Sequence, residues 1–330
     1  MVATMVVMAA LTLAGCGLDD AGGDVQRLEK QWEPLTLAAG QEETSLCASW
    51  TLGNDAPAYV RSVEMTSGPG WHHSNWFFVP ADKIAVGPDG IWPCDERHFD
   101  QIEAGLAGGV LFAQSTGASH EIQAFPSGAA LEVPAGARVV GQLHLLNAAD
   151  RSLTTSIQLA VETIPAGDVT AKLAPFVAEF RPLAIPPGAR SRFTASCEMY
   201  RPDFHVYYVL PHYHGLGVEM TVEAYGGAGD REIFRSGAVA GEPLGGVLDP
   251  PFDTTGASGI RFSCTYQNPT DRTVGYGNGD GEMCILLAYT DDRKRWAGGA
   301  LFGEPRSLGV APDGTLLFDA HCGLLGLPIR

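Results

Sequence analysis

Only nine histidines occur in 330 residues, yet four of them fall in two tight pairs, Trp71-His72-His73 and Pro211-His212-Tyr213-His214. On a strand, residues two apart face the same side at roughly 6.6 Å, which lets His212 and His214 chelate one metal. Adjacent residues face opposite sides, so His72 and His73 can share a metal only where the strand ends or bulges. The Gly68-Pro69-Gly70 run just before them supplies that irregularity. A facial site needs a third ligand. His144, in Gly141-Gln142-Leu143-His144, is the candidate for the first pair, and Met283, in Gly281-Glu282-Met283-Cys284, for the second. A lone methionine is ordinarily core filler. Beside two imidazoles its soft thioether suits Cu(I), and because imidazole serves both oxidation states the set tolerates redox cycling. Three protein ligands at each site leave a position open for dioxygen or solvent.

The elements that must hold these side chains read as short strands. Segments Ala58–Val63, Gly109–Phe112, Ala137–Leu146, Thr155–Glu162, Phe204–Leu210, Val218–Tyr225, Gly259–Tyr266 and Met283–Tyr289 are rich in aromatic and aliphatic residues and separated by turn chemistry. Gly 41 and Pro 22 are scattered without a period, which favours many strands joined by turns over long helices. The chain also repeats itself weakly: Val133–Arg138 parallels Ile185–Arg190, and Asn147–Ser152 parallels Asn268–Thr273. Together these features predict an all-β protein of two tandem antiparallel β-sandwich, jelly-roll-like domains braced by disulfides, with the first copper domain over 34–167 and the second over 168–330. The boundary falls near Ile164-Pro165-Ala166-Gly167-Asp168, where the strand pattern breaks.

The N-terminal apolar run is too short for a permanent membrane helix and reads as an export signal over 1–16. Its ending, Leu13-Ala14-Gly15-Cys16, resembles a bacterial lipobox, which implies lipidation at Cys16 and a periplasmic or cell-surface lipoprotein touching the membrane only through that anchor. Residues 17–33 are expected to be a flexible tether. The net charge of -17 disfavours nucleic acid, because a polyanion binder needs a basic face. Without Cys16, six cysteines remain and none shows CxxC spacing, so disulfides are favoured over thiolate zinc.

With these residues in view, the sequence resembles the copper type II, ascorbate-dependent monooxygenase family of peptidylglycine alpha-hydroxylating and dopamine beta-monooxygenases, over roughly Cys47 to Cys322. The family's paired histidines match His72 and His73, its later histidine matches His144 after Gln142, its HxH matches His212 and His214, and its Glu-Met-Cys matches Glu282-Met283-Cys284. Trp92-Pro93-Cys94-Asp95-Glu96, Cys197-Glu198-Met199-Tyr200 and His205-Val206-Tyr207-Tyr208 agree as well.

The resemblance implies disulfides Cys47–Cys94, Cys197–Cys322 and Cys264–Cys284, and two copper ions per chain. A catalytic copper on His212, His214 and Met283 would meet dioxygen and substrate. An electron-storing copper would sit on His72, His73 and His144, with Gln142 orienting its surroundings. It also implies hydroxylation of a C–H bond, with electrons from ascorbate or another one-electron reductant. The pattern departs at the substrate. The residues that grip a peptide carboxylate in the peptide-amidating branch fall here on Leu210, Ile285 and Leu287, and a buried carboxylate without partners is costly. A small-molecule substrate other than a glycine-extended peptide, and more apolar, is therefore expected, bound to a monomer. His98, His120, His205 and His321 have no chelating spacing and are assigned packing or surface roles. Two rival functions remain: a copper-binding or electron-transfer protein that keeps both sites without hydroxylation, and a zinc hydrolase using the three-histidine site alone.

Overall fold

The computed structural model describes residues 25–227 and 229–328. Strands form where small and branched residues alternate sides. In Arg190–Glu198, buried Ser191, Phe193, Ala195 and Cys197 alternate with more exposed neighbours, so one face enters the core. His205–His212 is instead buried along most of its length and sits between two partner strands, Gly246–Asp253 and Ile285–Thr290.

The chain is all-β, in two sandwiches. In the first, the sheet ordered Gly90–Pro93, Leu46–Thr51, Ala137–Leu146, Trp71–Pro80, Gly109–Ala113 carries the first histidines. Its core partners include Ala58–Ser67 and Ile157–Ile164, which contribute Val63, Met65, Leu159 and Val161 to the same buried cluster as Trp76, Val139 and Leu143. In the second, Arg190–Glu198, Gly259–Gln267 and Gly217–Tyr225 pair in one layer. Ala171–Phe180, Ile285–Thr290 and His205–His212 pair in the other.

Most ladders are antiparallel, but three are parallel, among them Ala129–Val133 on Ala171–Phe180, which ties the first half to the second. Leu316–Pro328 begins against Arg190–Glu198 and ends against Lys294–Ala300, so it passes from one layer to the other. Besides two short 3-10 turns at Cys94–Arg97 and Ala166–Asp168, Gln101–Ala107 is a short α-helix, started by the Asp100 side chain accepting from the Glu103 N–H at 2.8 Å.

The internal repeat is structural, although one of its sequence pairings shifts. Buried Asn147 donates to Ala38 O (2.7 Å) and Arg151 O (2.8 Å), while its own Oδ1 accepts from Ala149 N–H. Asn268 repeats this on Pro186 O (3.1 Å), Arg272 O (2.9 Å) and Thr270 N–H. Gly40 N–H then donates to Ala149 O, as Gly188 N–H does to Thr270 O. Both glycines hold a positive φ, 68° and 63°, which their turns require. The counterpart of Ile185–Gly188 is therefore Leu37–Gly40. Val133–Arg138 shares only the Gly-containing turn composition and lies on a different connection.

The expected tether over 17–33 is corrected from residue 26 onward. Gln26–Gln31 is a strand whose register pairs Gln26 with Thr163 and Gln31 with Gln158. Arg27 reaches Glu64 at 2.7 Å, and Trp32 is buried with its ring centroid 5.0 Å from that of Trp76. The polar composition that suggested a tether is the outer, charge-paired face of this strand. Residues 17–24 and the lipobox with Cys16 lie outside the described residues.

Disulfides join Cys47 to Cys94, Cys197 to Cys322 and Cys264 to Cys284, which marks a protein that matures in an oxidising, exported environment. No helix among the described residues is long and apolar enough to cross a membrane.

Candidate metal centre

His72 and His73 lie at the start of the Trp71–Pro80 strand. His144 is opposite His73, but Leu145 is opposite Trp71, so His72 is the extra residue of a β-bulge. The bulge turns two adjacent imidazoles toward one point, and their Nδ1 atoms come to 3.0 Å. His144 Nδ1 is buried without a hydrogen-bond partner, while its Nε2 meets Glu42 Oε1 at 2.8 Å. That contact fixes the ring and leaves Nδ1 for a metal.

The second motif lies across the junction of the halves. His212 closes the His205–His212 strand opposite Ile285, and His214 follows in a turn. His214 Nδ1 meets Gly281 O at 3.0 Å, and its Nε2 is buried and unpartnered. Glu282, almost wholly buried, organises this loop. Its carboxylate accepts from the backbone N–H groups of His214 (2.8 Å), Leu216 (2.6 Å) and Met283 (3.3 Å). Met283 is further held by Tyr266, whose hydroxyl donates to Met283 O at 2.5 Å, and by the Cys264–Cys284 bridge beside it.

The two expected sites are not separate. His72, His73 and His144 offer nitrogens within 4.8 Å of one another, and so do His73, His212 and His214. His73 belongs to both sets. The ring centroids of His73 and His212 are 4.9 Å apart, and those of His72 and His214 are 5.2 Å apart.

A first-half segment clamps the motifs together. Gly117 N–H donates to His72 O, Thr116 Oγ1 donates to Tyr213 O at 2.9 Å, and the Gln114 backbone meets the His212 ring. This segment and Glu42 escaped the sequence reading, since Gln-Ser-Thr-Gly and Gln-Glu-Glu-Thr runs have no metal spacing. Gln142 lines the cavity beside His73 and His144. Its amide bonds Gln101 Nε2 (2.7 Å) and Thr44 O (3.2 Å), not an imidazole, and the carboxylate of Glu42 takes the orienting role on His144. His120 and His205 pair with Glu64 and Asp291 at the surface.

Burial and neighbouring imidazoles push His72 down to about 4 and His212 down to about 3, and hold His73 and His214 below the ordinary histidine value. The rings are thus neutral at physiological pH, the form that binds metal. A histidine depressed in the fold leaves stability intact above its unfolded value near 6.5 and loses it as pH falls toward the folded value. Glu121 and Glu282, pushed up by burial to about 6 and about 7, work the other way, losing stability as pH rises through those values. Four imidazoles outweigh two carboxyls. The urea midpoint of the copper-free chain is therefore expected to fall between pH 7 and pH 4.5, and to fall less in His212→Asn. A flat midpoint would show that the imidazoles are not buried together.

The site opens onto a cavity of about 420 Å³ between the halves, lined by His73, His144, His212 and Met283 at one end. Leu210, Ile285 and Leu287 line it too, with Val177 of the adjacent strand paired to Leu287. No family model and no curated protein matches the chain. Solved structures similar to it include the major capsid protein P2 from bacteriophage PM2, with TM-score 0.30 and 8% identity over 81% of this chain and 97% of that one. Another is PBCV-1 VP54 fitted into a reconstruction of the virophage Sputnik, with TM-score 0.27 and 8% identity over 81% of this chain and 94% of that one. The PBSX exported protein XepA is similar at TM-score 0.20 and 9% identity, over 79% of this chain and 86% of that one. Scores this low carry no argument about what the chain does.

Proposed function

We propose that this protein is a copper-dependent monooxygenase that hydroxylates a C–H bond of a small, non-peptidylglycine substrate with dioxygen and an external reductant. Export as a bacterial lipoprotein through Cys16 is part of the same proposal. The observation that carries the reading is the convergence of five imidazoles, two with buried and unpartnered ring nitrogens, at a cavity that Met283 also lines. The donor set fits copper. Imidazoles accept both oxidation states, a thioether favours the reduced one, and imidazole sites prefer copper to zinc at equal availability. Bound copper would supply one-electron redox chemistry and dioxygen activation.

The chain's own residues do the rest. Glu42 orients His144, Glu282 fixes the His214 and Met283 backbones, and the Gln114–Gly117 segment holds both motifs at one point. Leu210, Ile285, Leu287 and Val177 exclude water from the metal end of the cavity. The same apolar wall offers no peptide-carboxylate clamp, and that favours the second reading, a copper or electron-transfer protein without hydroxylation.

Copper per chain and reductant-driven oxygen uptake separate the two. Two coppers, with uptake abolished in Met283→Ala while the first-site copper stays, is the expected result. Two coppers with no uptake under ascorbate or other reductants would support the electron-transfer reading. Zinc retained with a hydrolytic activity insensitive to copper removal would overturn both.

A further inference from the structure

The charged side chains lining the cavity, histidines aside, are Glu179, Arg181 and Arg295. Glu179 and Arg181 neutralise each other at 2.7 Å, and the Tyr276 hydroxyl also donates to Glu179. Arg295 has no carboxylate partner among the described residues. Its Nη1 donates to the carbonyls of Gly105 and Gly108, at the end of the short helix, and its Nε is unpartnered. Burial alone perturbs it, lowering its pKa, with no acid close enough to oppose the shift. Among the described residues, the cavity therefore holds one positive charge without a carboxylate partner, in otherwise largely apolar surroundings where a counter-ion gains most.

Its position follows from the ladders. Ile285 pairs with Glu179 and Tyr289 with Pro175, while Phe176 pairs with Trp296, which puts Arg295 level with Pro175 on the next strand. Strand spacing near 4.8 Å and a rise near 3.3 Å per residue then place Arg295 roughly 16 Å from Ile285 along the backbone surface. Allowing for the reach of the side chains at the two ends, on the order of 10 Å of apolar wall separates the guanidinium from the metal end. Val177, Leu287, Leu210 and Val110 supply that wall.

We infer that the substrate is an amphipathic monoanion: an apolar body lying along Val177 and Leu287, with its anionic group on Arg295 and its far end at Met283 and the histidines. This rests on the monooxygenase reading for the fate of the far end, but the binding itself does not need metal or turnover. The anion is held at the end of the cavity away from the metal ligands, so the absence of a clamp at Leu210, Ile285 and Leu287 is no obstacle.

Isothermal titration of the full chain with octanoate and with octanamide, with and without copper and without reductant, tests this. Octanoate is expected to bind about tenfold or more tightly than octanamide. Arg295→Gln keeps a donor for the helix carbonyls but not the charge, and is expected to erase that difference while leaving octanamide binding unchanged. Arg295→Lys should retain most of it. Equal affinity for the two probes in the native protein, no octanoate binding, or an unchanged preference in Arg295→Gln would overturn the inference. Failure to bind copper or take up oxygen, with the octanoate preference intact, would sink the monooxygenase reading and leave the anion site standing.

Discussion

Replacing His73 with alanine is expected to weaken both of the proposed copper sites, whereas His72→Ala should weaken only one. His73 belongs to both three-histidine groups, within 4.8 Å of its partners in each, and its Nδ1 lies 3.0 Å from that of His72. Without it, the first group keeps His72 and His144, and the second keeps His212, His214 and Met283 with no imidazole from the opposite half. Copper retained per chain after dialysis against graded chelator is the measurement. The expected result is loss of the first copper and at least a tenfold weakening of the second in His73→Ala, since losing a ligand's orienting partner alone costs metal sites about 10–100-fold. If His73→Ala and His72→Ala behave alike, the halves hold their metals independently in solution and the shared ligand is not used.

Glu282→Ala carries the largest expected effect on stability. One buried carboxylate satisfies the backbone N–H groups of His214, Leu216 and Met283, which come from two separate loops. Removing it leaves those donors to find other partners, at about 1–3 kcal/mol for each that stays buried and unpaired. A loss of about 3 kcal/mol or more is expected in urea unfolding of the copper-free protein, together with loss of the copper held by His212, His214 and Met283. Glu282→Gln keeps an acceptor oxygen and should recover part of the stability. The first-site copper, held by His72, His73 and His144 on strands of the other half, should survive Glu282→Ala. An unaltered unfolding midpoint would mean that the carboxylate does not pin the two loops.

Much of the scaffold was legible in the chain because strand alternation and turn residues are local signals. Ala137–Leu146 is the strand expected from the sequence, and Gly259–Tyr266 differs by one residue at its end. The Asn147 and Asn268 turns repeat because the same side chain closes the same turn in both halves. Where local polarity misled, at Gln26–Gln31, the outcome turned on a partner strand more than a hundred residues away.

By itself the sequence determined the donor types, the pairing of histidines at chelating spacing, and the need for an irregularity at His72, since these depend on neighbours within a few residues. Only the tertiary structure decided that the bulge falls on His72, that Glu42 orients His144, that Glu282 joins the His214 and Met283 loops, and that His73 stands between two sets of ligands. Each of those contacts spans distant segments, and its geometry is set by how strands pair within a sheet and how sheets pack against each other. Hydrophobic burial drives that packing without direction, so the pattern along the chain records which residues go inside but not which of them meet.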